Sequence, residues 1–123
     1  MKVLIVEDDS LLVEMVRAKL KKDGYDVFSA CNGEEGLSRV EECVPEIVLL
    51  DINMPIMNGF EFLKIIKNSD RFKDIPVIMF SSLGEEEDNI EKGRALGASG
   101  FLIKSQLSLN DIHIKIKEVL NSR

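Results

Sequence analysis

Long apolar runs are missing from this sequence: no stretch in its 123 residues approaches the roughly 20 that a membrane-spanning helix needs. Lys2 is followed by only four apolar residues before Glu7, too few for a signal peptide, so the protein is expected to stay in the cytoplasm without membrane insertion. Basic clusters are missing too. With 16 Lys and Arg against 22 Asp and Glu, net charge −6, and no cationic patch, direct binding of nucleic acid is not expected. Cysteine is scarce. Cys31 and Cys43 lack CxxC spacing and histidine neighbours, which reads as reduced structural thiols, although their separation alone leaves pairing open. Repeats, low-complexity segments and linkers are absent as well. Residues 1–123, 45% hydrophobic and 31% charged, are therefore expected to form one domain.

What is present is a set of short apolar runs that end in polar groups. Ile47-Val48-Leu49-Leu50 runs straight into Asp51 and then into a segment carrying Pro55 and Gly59, so the carboxylate should sit where a buried strand surfaces into a loop. Val3–Val6 ends in Glu7-Asp8-Asp9, Val77–Phe80 in Ser81-Ser82, and Phe101–Ile103 in Lys104. Tyr25–Ser29 alternates and reads as a strand nearer the sheet edge.

Between these runs, apolar residues recur at helical spacing. Leu12, Met15, Val16, Lys19 and Leu20 predict a helix of about three turns, with Ser10 near its N-cap and Gly24 as its stop. Leu37, Val40 and Val44 mark a second, over Glu34–Cys43, ended by Pro45. Phe60, Leu63, Ile66 and Lys67 mark a third, with Gly59 just before it. Glu85–Asp88 supply acids suited to the first turn of a fourth helix. That helix is poor, since Gly93 lies inside it and only Ile90 and Leu96 are large and apolar, and marginal stability is what a movable element would show. Ile112, Ile116, Val119 and Leu120 share a face of the last helix, which turns Ile114 away from the core.

Strands alternating with helices five times imply parallel pairing and right-handed crossovers, hence an α/β three-layer sandwich with helices on both faces. Strong first, third, fourth and fifth runs with a milder second fit the flavodoxin-like strand order 2-1-3-4-5. In that order Asp8 and Asp51 face one another from neighbouring strands. Paired carboxylates repel unless a cation sits between them, and hard oxygen ligands with open positions suit Mg²⁺ or Mn²⁺. A carboxylate beside such an ion and an ammonium is placed to attack a phosphoryl group, giving an acyl phosphate, with charge spread over the metal, Lys104 and the Ser81 hydroxyl. Taken singly, Asp51 reads as a turn or cap residue, Lys104 as a snorkelling lysine and Ser81 as a helix cap. Gathered at one edge, they favour the chemical reading.

The segments Leu4–Asp9, Leu49–Gly59, Val77–Ser82 and Gly100–Lys104 together resemble the receiver domain of two-component response regulators, and the resemblance covers almost the whole chain. It implies that Asp51 accepts a phosphoryl group from a phosphohistidine on a histidine kinase or histidine phosphotransfer protein. It also implies that Asp8 binds Mg²⁺ directly, with Asp51 and the Asn53 main-chain carbonyl as further ligands and Glu7 acting through water. Asp9 falls one place beyond the family's acid pair. Lys104 would pair with the phosphoryl group, Ser81 would take its hydrogen bond and draw the following loop inward, and Phe101 resembles the aromatic gate that turns inward on activation. Output would use the face of the fourth helix, fifth strand and last helix, with Ile114 as a contact, to control a partner protein or an output domain in trans. Such a chain catalyses its own phosphorylation and slow dephosphorylation and is not a turnover enzyme.

One departure stands out. The family usually carries a cis proline after the lysine, and Ser105 stands there; a non-proline cis bond costs about 2.5–4 kcal/mol, so this loop is either trans or strained. Rival readings fare worse. A phosphatase of the haloacid dehalogenase type wants an acid where Asn53 stands, no GxxxxGK[ST] motif exists for a P-loop, and an EF-hand fails because its sixth position is Ile56. A receiver-like scaffold that is never phosphorylated is opposed by the complete set of acids, hydroxyl and lysine. His113 reads as a surface residue, not a phosphoryl carrier.

Overall fold

Each of the short apolar runs is a strand, and the first, third and fourth are buried on both faces. In the computed structural model, which describes residues 1–81, 86–106 and 108–122 and only the backbone of Glu86, the strands are Lys2–Val6 (β1), Asp26–Ala30 (β2), Ile47–Asp51 (β3), Val77–Ser81 (β4) and Gly100–Ile103 (β5). The helices are Ser10–Lys22 (α1), Gly33–Cys43 (α2), Gly59–Lys67 (α3), Glu86–Ala95 (α4) and Leu109–Asn121 (α5), with a 3-10 turn over Lys104–Gln106. All strand pairs are parallel and run in the order β2-β1-β3-β4-β5, as the pattern predicts. Ser82 to Glu85, named above around the start of the fourth helix, lie outside the described residues. No helix among the described residues is long and apolar enough to cross a membrane.

Strand alternation divides the core into two layers. Ile5, Leu49, Ile78 and Phe80 pack with Val13, Val16 and Leu20 of α1 and with Ile112, Ile116 and Val119 of α5. Leu4, Val6, Leu50 and Met79 pack on the other face with Val40 of α2 and with Phe62, Leu63 and Ile66 of α3. Helix phase differs in places from the expected stripes. Met15 is exposed while Val13 is buried, and Phe62 is buried while Phe60 is half-buried. Val44 is not on the α2 face but caps it in the left-handed region at φ 44°, and Leu96 lies just past α4. β2 begins one residue later than expected, and Asp9, not Ser10, caps α1 by accepting from the Leu11 and Leu12 N–H groups.

The two layers are tied differently. Asp23 at the C-terminal end of α1 meets Lys19 Nζ at 3.2 Å and Nδ1 of His113, on α5, at 2.9 Å, so His113 is a half-buried partner of α1 and not a free surface residue. Helix α4 has slighter ties. Gly93 lets it approach the sheet, because a Cβ there would come within 2.7 Å of the Phe101 ring and 2.9 Å of Met79 Sδ. Lys92 Nζ lies 4.5 Å from the centroid of the Phe60 ring on α3.

Helix α3 starts directly beneath the end of β3. The Gly59 N–H donates to the Ile52 carbonyl at 2.9 Å, and a Cβ on Gly59 would overlap the Asp51 carbonyl oxygen and come within 2.9 Å of the Ile52 Cα. Those are backbone atoms and cannot rotate away. Gly59→Ala is therefore expected to destabilise the fold by about 1–3 kcal/mol, measured as a lower urea midpoint at unchanged slope.

Candidate functional site

Register decides which polar side chains meet at the sheet edge. Val6 pairs with Leu50, so Glu7 and Asp51 leave neighbouring strands at one level; Asp51 pairs with Phe80 and Phe80 with Leu102, two residues before Lys104. By alternation, Glu7, Asp51 and Lys104 share the facing of Ile5, Leu49 and Leu102, toward α1 and α5. Their side chains converge. Lys104 Nζ lies 2.7 Å from Glu7 Oε1 and 3.0 Å from Asp51 Oδ1. Asp8 has the opposite facing and is exposed, yet carboxylate oxygens of Glu7, Asp8 and Asp51 all lie within 4.8 Å of one another.

Backbone donors orient these acids. The Asn53 N–H donates to Asp51 Oδ1 at 3.4 Å, and the Asp9 N–H donates to Glu7 Oε2 at 3.1 Å. Asp9 itself is committed to capping α1. At the end of β4, buried Ser81 accepts a hydrogen bond from Asn89 Nδ2 at 3.0 Å. Phe101 is half-buried against the layer that contains Met79.

Electrostatics follow from burial. Glu7 and Asp51 are only 2% and 3% exposed. Burial, with the charge of Asp51 behind it, pushes the Glu7 carboxyl up to about 7, against the pull of Lys104 and the Asp9 N–H. Burial disfavours the charge on Lys104 as well, but hydrogen bonds and attraction from Glu7 and Asp51 outweigh it and raise its pKa. Once Glu7 also gives up its proton, which a bound cation favours, three carboxylates stand against one ammonium, and 3 − 1 leaves an excess of two negative charges. A hard divalent cation matches that charge and that oxygen donor set. Glu7, Asp8 and Asp51 therefore fit Mg²⁺ or Mn²⁺.

Residues 3–117 match the response regulator receiver domain family. The chain belongs to that family. Protein PilG of Pseudomonas aeruginosa is 36% identical over 104 residues, 85% of this chain and 76% of PilG. The phosphate regulon transcriptional regulatory protein PhoB of Escherichia coli is 32% identical over 119 residues, 97% of this chain and 51% of PhoB. Among solved structures, the chemotaxis response regulator CheY4 of Vibrio cholerae superimposes with a TM-score of 0.88 at 30% identity, covering 96% of this chain and 97% of that one. A response regulator from Chloroflexus aurantiacus gives a TM-score of 0.90 at 28% identity, covering 98% and 97%. The chain spans about half the length of several curated relatives it matches, PhoB among them.

As a receiver domain, the chain is a signalling module of the two-component type. Its departure after the lysine resolves simply: no described peptide bond is cis, and Lys104–Gln106 wind a 3-10 turn from which the ammonium reaches both carboxylates. The run ends alone put Glu7 and Lys104 at the same sheet edge; that they form a direct ion pair is visible only in the structure. Asn89 was not singled out, and no sequence signal marks it.

The Glu7 shift has a measurable consequence. Its folded pKa is raised from 4.5 to about 7, so between those values the native chain binds more protons than the unfolded one, and this group's contribution to stability falls as pH rises through that window. Melting in EDTA from about pH 4.5 to about pH 8 should show the decline, and Glu7→Gln should flatten it.

Proposed function

We propose that Asp51 is the phosphoacceptor of this receiver domain and that residues 1–123 act as one such domain in the cytoplasm. The observation that carries this is Lys104 held between Glu7 and Asp51, with three carboxylates gathered within 4.8 Å. The donor is a phosphohistidine on a histidine kinase or histidine phosphotransfer protein. An Asp51 carboxylate oxygen attacks phosphorus in line; the O–P bond forms, the P–N bond breaks, and its electron pair leaves on the imidazole nitrogen. Lys104, already 3.0 Å from Asp51, transfers its contact to a phosphoryl oxygen. Mg²⁺ held by Asp8, Asp51 and the Asn53 carbonyl, with Glu7 through water, supplies charge neutralisation when bound.

Switching follows from the same geometry. Ser81 donates its hydroxyl to the phosphoryl group and Phe101 turns further into the core, which alters the face built from α4, β5 and α5. Exposed Ile114 is a contact on that face for a downstream partner or output domain. A partner senses the change only by binding the two arrangements unequally, by about 1–3 kcal/mol.

Intact-mass measurement with acetyl phosphate tests the reading. One phosphoryl group is expected with Mg²⁺, none in EDTA and none in Asp51→Ala; labelling that survives either change refutes it. Ser81→Ala is expected to accept the phosphoryl group yet to lose the phosphorylation-dependent gain in partner affinity, measured by calorimetric titration.

A further inference from the structure

The hydrogen bond that joins α4 to the end of β4 bears on the switch. Ser81 has the strand facing of Met79, toward the layer of α2, α3 and α4, whereas Asp51 has that of Leu49, toward α1 and α5. Its Oγ is the acceptor of the 3.0 Å bond from Asn89 Nδ2, and Asn89 is the fourth residue of α4. The helix is seated against the sheet close by, where Gly93 meets the Phe101 ring and Met79. The hydroxyl is thus held on the α4 side of the sheet.

We propose that Asn89 is a positioning residue that holds the Ser81 hydroxyl away from the phosphoryl site on Asp51, so that activation requires this bond to break. The inference rests on the reading of Asp51 as phosphoacceptor. Moving Ser81 between staggered χ1 wells carries Oγ by about 2 Å, more than a hydrogen bond of ordinary length tolerates. The contact with Asn89 and the contact with a phosphoryl oxygen therefore compete. Releasing Asn89 also removes a tie between α4 and the end of β4, so the same event that completes the phosphoryl site loosens the helix a partner would read.

The test is equilibrium binding of beryllofluoride, an acyl-phosphate mimic, to the full chain with Mg²⁺, read by fluorine NMR. Asn89→Ala is expected to bind about two- to tenfold more tightly than the parent, the range set by one neutral hydrogen bond. In a Ser81→Ala background the same substitution is expected to change nothing, because the competing hydroxyl is gone. A general effect on α4 stability would appear equally in both backgrounds and would overturn the proposal, as would unchanged or weaker binding by Asn89→Ala. If the parent chain does not bind beryllofluoride with Mg²⁺, the phosphoacceptor reading itself falls and this inference with it. If the parent binds and the cycle shows no coupling, only the role of Asn89 falls.

Discussion

Two carboxylates almost wholly removed from water repel one another at the end of a parallel sheet, and a positive charge held between them is what favours ionising both. Lys104 supplies that charge, and much of the fold can be understood as the means of delivering it. β1 and β3 must be neighbours for Glu7 and Asp51 to emerge at one level, and β5 must lie on the same side of β3 as β4 for a lysine stem to reach back across. The strand order meets both conditions. Removing the ammonium alone would push the Glu7 carboxyl further toward its neutral form, because the pull of Lys104 is what opposes burial and the Asp51 charge there.

The sheet and its order were readable from the sequence because they depend on coarse features: continuous apolar runs, their alternation with helical stripes, and polar residues at the run ends. Asp51 and Lys104 stood out for the same reason. Finer choices were not readable. Asp9 and Ser10 are both competent caps, and the one in extended backbone just before the helix, Asp9, is the one whose carboxylate accepts from the first N–H groups of α1. Phe60 and Phe62 are both apolar and two residues apart, so a rotation of the helix decides which is buried. The bond from Asn89 to Ser81 depends on the seating of α4, which Gly93 sets through a contact that no local pattern encodes.

Stability and responsiveness are divided between the layers by composition. α1 and α5 bring six buried aliphatic residues to their face, whereas α4 exposes acids and bases alike, Glu87, Asp88, Glu91, Lys92 and Arg94, and reaches the core through a glycine. A helix that lacks large buried side chains is held mainly by specific contacts, and specific contacts can be exchanged at small free-energy difference. The carboxylate site sits where β4 and β5, the strands against α4, end beside β3.

The bridge from Asp23 to His113 has a mechanical corollary. It clamps α1 to α5 at the end of α1 opposite the capping Asp9, so those two helices behave as a single braced plate behind the sheet. On the proposed switch, a layer braced in this way would leave motion to the α2, α3 and α4 side of the sheet.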